Sequence, residues 1–209
     1  MAIAADRSED LAPPVAQRIQ RHAAIDRWFH WLTALSVLIL MATGLLPHLG
    51  VHFDWVGIHW VTGVALVALV IFHIVRSLIW QSPRSIWFSR GDLGGRRAGK
   101  YSLAQRLMHH AMALMVLAAA ITGVLMLKKI RTPFFVRDPY ILGSDSWGVV
   151  YFIHGLAAVC AVTLVMIHVY FALIPENRTY LLAMVRGWIT REEQRALSGG
   201  SRAPGTKSP

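Results

Sequence analysis

The sequence predicts an all-α integral membrane protein, a bundle of four spanning helices, and three observations predict it. Hydrophobic residues make up 55% of the 209 and charged residues only 15%, where a soluble domain carries roughly 25% charged residues. The charges are also segregated. Residues 28–53, 55–75, 107–127 and 146–175 contain no Lys, Arg, Asp or Glu, and each window is long enough for the about 20 apolar residues of a bilayer-crossing helix. Finally, Trp28, Trp31, Trp55, Trp80 and Trp147 fall at the window edges, where indole rings favour the headgroup layer. A soluble enzyme is excluded.

Taken in order, residues 1–20 are polar or rich in Pro and Ala and lack the short apolar core of a signal peptide. They read as a flexible tail, and the first window as an uncleaved anchor. The bundle is expected over residues 21–177. Its first connection, around Pro47–Asp54, has no Lys or Arg; the second, after Gln81, has five and four glycines, and reads as a flexible loop. The third carries Lys128, Lys129, Arg131 and Arg137 with Pro133 and Pro139, which suggests an irregular segment that docks something outside the membrane. Beyond the fourth window, residues 178–195 mix apolar and basic positions as an amphipathic segment at the membrane surface does, and residues 196–209 read as disordered. Both termini and the second connection together hold fifteen Lys and Arg, against four on the other side. Short basic segments stay cytoplasmic, so both termini are expected inside.

The net charge of +10 belongs to this orientation signal, which argues against a nucleic-acid partner. The one cysteine, Cys160, excludes a disulfide framework, a Cys-x-x-Cys metal site and covalently attached c-type haem.

Ten histidines remain to be explained. A polar side chain in a bilayer is expensive and usually functional, although any single one can serve a helix contact. Spacing is more informative. His73 follows His59 at the same interval as His168 follows His154. On an α-helix these fourteen steps rotate about 1400°, some 40° short of four turns, and rise about 21 Å. Each pair therefore shares a helix face near opposite leaflets. Imidazole is an axial ligand of haem iron, and two stacked haems, one per leaflet, need two histidines each from facing helices. Gly44 follows His30, and Gly123 follows His109, at that same interval, and a porphyrin edge against a helix needs a position without a side chain. The pattern supports a four-helix bundle enclosing two b-type haems. Depth pairs His59 with His154 at the outer side, and gives the inner side His168 with one of His30, His73, His109 or His110.

The segments DRWFHWLTALSVLILMATG (Asp26–Gly44), HWVTG (His59–Gly63), GKYSLAQRLMHH (Gly99–His110), TGV (Thr122–Val124) and HGLAAVCAVTLVMIHVYFAL (His154–Leu173) resemble the membrane cytochrome b (gamma) subunit of respiratory formate dehydrogenases. The resemblance covers about residues 21–195. The wider group takes in cytochrome b subunits of nickel–iron hydrogenases. The resemblance implies that His30 and His168 ligate the inner haem, and His59 and His154 the outer one; His73, His109 and His110 lie outside its pattern. It implies a bacterial inner-membrane location, and as partners an iron–sulfur electron-transfer subunit and a catalytic dehydrogenase subunit. It further implies a quinone pocket over the polar entry to helix three, Gly99–Arg106, where Gln105 matches. His109 and His110 follow one turn deeper and can relay protons, so Gln105 and one of them are expected at the quinone head group, with Lys100 or Arg106 at the membrane surface.

The function expected is an electron conduit from an outer-side iron–sulfur partner through two haems to quinone near the cytoplasmic face. The chain carries no primary catalytic centre in this reading. Its rivals are a hydrogenase cytochrome b and a free-standing oxidase of superoxide or another small reductant.

Overall fold

The computed structural model describes residues 18–80 and 103–199. Four long helices dominate: α1 (Ala24–Leu45), α2 (Trp55–Trp80), α3 (Leu103–Met126) and α4 (Ser144–Leu173). Each is long and apolar enough to cross a membrane, as the charge-free windows predict. The second connection, including Lys100, Tyr101 and Ser102, lies outside the described residues.

The helices hide their polar side chains and present their large apolar ones. Ser36, Thr43 and Thr122 are buried, whereas Leu35, Ile121, Phe152 and Met166 are more than half exposed. This is the arrangement expected when the surrounding solvent is hydrocarbon. Leucine gains nothing by leaving lipid, while small and hydroxylated residues let helices approach and bond across the interface. The hydroxyls of Ser36, Thr43 and Thr122 each donate to the carbonyl four residues earlier, at 2.6–2.9 Å, so none of these three buried hydroxyls is left without an acceptor.

A short connection makes α1 and α2 antiparallel. After α1 a 3-10 turn, Leu46–Leu49, ends on Gly50 at φ +82°, a left-handed conformation that glycine adopts without a Cβ penalty. The third connection is irregular between Ile130 and Gly143 and is pinned to the top of the bundle. Asp138 N–H donates to Lys128 O (2.9 Å), Arg137 Nε to Lys129 O (3.0 Å) and Trp147 Nε1 to Pro139 O (2.9 Å). Trp28 and Trp80 are exposed as headgroup-layer residues should be, but Trp147 is 3% exposed. Its indole is held under the third connection with the Lys129 ammonium 4.7 Å from the ring centre.

The chain divides into two compact units, the bundle over Trp28–Phe171 and a second unit made from the residues on either side of it in sequence. In the second unit, β1 (Arg18–Gln20) pairs antiparallel with β2 (Trp188–Thr190), Ile19 opposite Ile189, and Ile189 and Ala183 are its buried apolar residues. The segment read from sequence as one amphipathic stretch is α5 (Arg178–Arg186), β2 and α6 (Arg191–Gly199). Arg18–Gln20, expected as the end of a flexible tail, are β1, and α6 runs into the stretch expected to be disordered. Local chemistry explains both. Arg18 stacks its guanidinium 4.4 Å from the Trp188 ring centre. Thr190 and Glu193 form a capping box at the start of α6, Glu193 Oε2 accepting from Thr190 N–H (2.8 Å) and Thr190 Oγ1 from Glu193 N–H (3.1 Å).

Candidate functional site

Inside the bundle two levels of histidine can be distinguished. The far level lies toward the end of α1 and the beginning of α2; the near level lies toward the beginning of α1 and α3 and the end of α2 and α4.

At the far level His59 and His154 face each other with ring centroids 6.3 Å apart and planes at 69°. Each ring is held by a threonine of the preceding helix: Thr43 Oγ1 lies 2.8 Å from His59 Nδ1, and Thr122 Oγ1 lies 2.9 Å from His154 Nδ1. Both hydroxyl hydrogens are committed, to Ile39 O at 2.8 Å and to Ala118 O at 2.6 Å. A hydroxyl has one hydrogen, so each oxygen accepts from its histidine, and the tautomer follows from the bonding network. Nδ1 carries the proton and Nε2 presents a lone pair. Sequence reasoning missed these threonines, although a repeated signal was present: Thr stands before Gly at both 43–44 and 122–123. Both glycines, read as room for a porphyrin edge, lie beside these rings, and only Gly123 is close enough to one for a Cβ to crowd it. A Cβ on Gly44 would lie 3.7 Å from His59 Cε1, and one on Gly123 would lie 3.3 Å from His154 Cε1.

At the near level His30 faces His168, with centroids 6.3 Å apart and planes at 48°. His73 faces His109 at 6.4 Å and 62°, and Phe29 stacks on His73 at 4.5 Å with planes 11° apart. Sequence depth left four candidates to accompany His168; the structure sets His30 against it and turns His73 to His109. The Nδ1 of His30 is buried with no hydrogen-bond partner among the described residues, which leaves a ring nitrogen for a partner outside the chain. His110 lies beside His109 (5.6 Å) and donates from Nδ1 to Arg106 O at 2.8 Å. Gln105 is exposed one turn earlier. Arg106, in the same turn, is 4% exposed.

The donor set indicates the kind of metal. Among the described residues no group of three or more His, Cys, Asp or Glu is placed to hold a metal ion. A pair of imidazoles suffices only for a metal that brings its other ligands, as haem iron brings four porphyrin nitrogens. Two imidazoles bound on opposite sides of one metal, each at about 2.0–2.1 Å, put their ring centres roughly 6–6.5 Å apart. The two pairs at 6.3 Å fit that group, and at the far level both Nε2 lone pairs are available for it.

Comparison with known proteins agrees with this chemistry. The chain is 24% identical over 196 residues to the formate dehydrogenase cytochrome b556(fdo) subunit of Escherichia coli strain K12, an alignment covering 82% of this chain and 86% of that protein. The same values hold for the subunits so named in Escherichia coli O6:H1 and O157:H7. The family model described as prokaryotic cytochrome b561 matches residues 21–187, which include all four long helices and every histidine discussed above. The chain therefore belongs to the prokaryotic cytochrome b561 family of membrane electron-transport proteins, whose cofactor is haem b.

Proposed function

We propose that the chain is the cytochrome b subunit of a bacterial inner-membrane formate dehydrogenase complex, passing electrons from an outer-side iron–sulfur subunit through two haems to quinone near the cytoplasmic face. The observation that carries this reading is the pair of imidazole clamps at two levels, His59 with His154 and His30 with His168. The interval from His154 to His168 separates the levels by about 21 Å along α4, enough to carry charge across most of the hydrocarbon core.

Bound haem supplies one-electron redox chemistry, and the chain supplies ligation, spacing and a low-dielectric surround. Thr43 and Thr122 orient the far-level rings and fix which nitrogen meets iron. At the near level His109 is turned toward His73, so we assign the quinone head group to Gln105 and His110. A quinone head group needs hydrogen-bond donors and acceptors, which an amide and an imidazole supply. The positive-inside pattern supports a cytoplasmic position for both termini.

The third connection is the docking surface for the partner. Phe134, Val136 and Tyr140 are 76%, 84% and 90% exposed within a segment bearing Lys128, Lys129, Arg131 and Arg137. Exposed apolar side chains rimmed by charge mark protein interaction sites. The 24% identity to cytochrome subunits named for formate dehydrogenase supports the choice of complex.

The test is purification of the tagged, full-length chain from its native membrane. An iron–sulfur protein and a dehydrogenase should copurify. His59→Ala and His154→Ala should remove one and the same haem; His30→Ala and His168→Ala should remove another. Purification without an iron–sulfur protein would favour the free-standing oxidase, and an absent Soret band would reject the cytochrome reading.

A further inference from the structure

The far end of the bundle holds a cation without an anion beside it. Lys129 closes the 3-10 turn Leu127–Lys129 that follows α3, and it is half-buried. It is fixed from both ends. Its backbone carbonyl accepts from Arg137 Nε at 3.0 Å. Its ammonium lies 4.7 Å from the Trp147 ring centre and 5.4 Å from that of Tyr151, and these two rings lie together with centroids 6.1 Å apart. Aromatic faces attract an ammonium but replace only part of the hydration that it gives up. Among the described residues no carboxylate pairs with it. Asp138 Oδ1 accepts from Tyr140 N–H at 3.1 Å, and Asp145 Oδ1 from the Ser144 hydroxyl at 3.4 Å.

The two rings place that ammonium relative to His154. On α4, Tyr151 stands about one turn before His154 and Trp147 about two. Lys129 follows Thr122, which bonds the His154 ring, by about two turns of chain. The ammonium is therefore on the α3–α4 side of the far level, one to two turns nearer the helix ends than the ring. A haem between facing imidazoles has its plane across the line that joins them, so its rim runs along the helices. Its propionates are ionised acids, which are expensive in hydrocarbon and turn toward the aqueous end and a cation there. The first connection has no Lys or Arg. In the third, Lys128 is set against Phe135, 5.6 Å from the ring centre, whereas Lys129 is held against the helix that carries His154.

We propose that Lys129 is a positioning residue for the far-level haem, its ammonium donating a charge-assisted hydrogen bond to one propionate. The proposal rests on the reading that His59 and His154 ligate haem. A cation at the propionate favours the ferrous state, which holds one more electron, so removing it lowers the midpoint potential.

The experiment follows the far-level haem, identified as the one that His59→Ala lacks, in the full-length chain in lipid nanodiscs. Cells fed 5-aminolevulinate labelled with carbon-13 at its carboxyl group label the haem carboxylates. Lys129→Gln should retain both haems. It should disfavour reduction of the far-level haem about tenfold, which is about 59 mV, and displace the labelled carboxylate bands in the redox-difference infrared spectrum. Lys129→Arg should restore the potential but displace the bands differently, because a guanidinium bonds a carboxylate through two N–H groups. Lys128→Gln should change neither. No haem in the wild type would overturn the reading beneath the proposal. With both haems present, an unchanged potential or unchanged bands in Lys129→Gln would overturn the proposal alone, unchanged bands marking a cation that acts at a distance. If Lys129→Gln lost the far-level haem, Lys129→Arg would decide, displaced bands supporting the pairing and wild-type bands or no haem counting against it.

Discussion

Replacing Thr43 by valine removes one hydroxyl from a buried helix contact while keeping its shape. Thr43 is 4% exposed, and its Oγ1 accepts from His59 Nδ1 at 2.8 Å. The backbone carbonyl of Ile39 keeps its helical partner, so the cost falls on the imidazole N–H. A buried donor left without an acceptor costs about 1–3 kcal/mol in proteins generally, and hydrogen bonds between helices in a membrane average about 0.6 kcal/mol with a maximum near 1.7. A cost of about 1 kcal/mol satisfies both ranges. In the proposed haem site the bond would favour the ferric state, because a hydrogen-bonded N–H makes the ligating nitrogen more basic. Its loss therefore raises the midpoint potential, and about 1 kcal/mol corresponds to about 40 mV for a one-electron couple, where tenfold is about 59 mV. Thr122→Val makes the same change on His154, the other proposed ligand. Potentiometric titration of the haem α-band should show the same haem rising by about 40 mV in each variant and by about 80 mV in the double, with Thr43→Ser close to wild type. If the two valine variants moved different haems, the His59–His154 pairing would be wrong. A fall in potential would refute the assigned tautomer.

The two glycines beside the far-level rings should differ in tolerance. Gly123→Ala puts a Cβ 3.3 Å from His154 Cε1 and forces the ring to shift by a few tenths of an ångström, whereas Gly44→Ala leaves an ordinary contact of 3.7 Å; only the first should alter the haem electron paramagnetic resonance spectrum. Gly187 closes α5 at φ +91°, where a Cβ would also lie 3.1 Å from Arg27 Cζ, so Gly187→Ala should destabilise the β1–β2 unit by at least about 1 kcal/mol, seen as faster proteolysis between α5 and α6 with haem content unchanged. Gln105→Leu and His110→Phe should each slow quinone-dependent haem reoxidation about tenfold or more without loss of haem, and normal rates in both would place the head group elsewhere.

The number of spans and their approximate positions were legible in the sequence because a bilayer imposes a one-dimensional rule: charge is excluded over about 20 residues, and the chain obeys it four times. The levels of the histidines were legible for a related reason, since the helical rise converts an interval along the chain into a depth. Which rings meet across the bundle was not, because depth says nothing of rotation about a helix axis. Several histidines share the near level, and only the packing of the helices turns His30 to His168 and His73 to His109. The same limit hid Thr43 and Thr122, which bond to rings on another helix. Nor could the amphipathic stretch after the bundle declare its strand, since β2 exists only through hydrogen bonds to Arg18–Gln20, on the far side of all four spans in the chain. Sequence set the elements and their depth through local physics; which faces and edges meet was decided by tertiary packing, where partners remote in the chain satisfy one another.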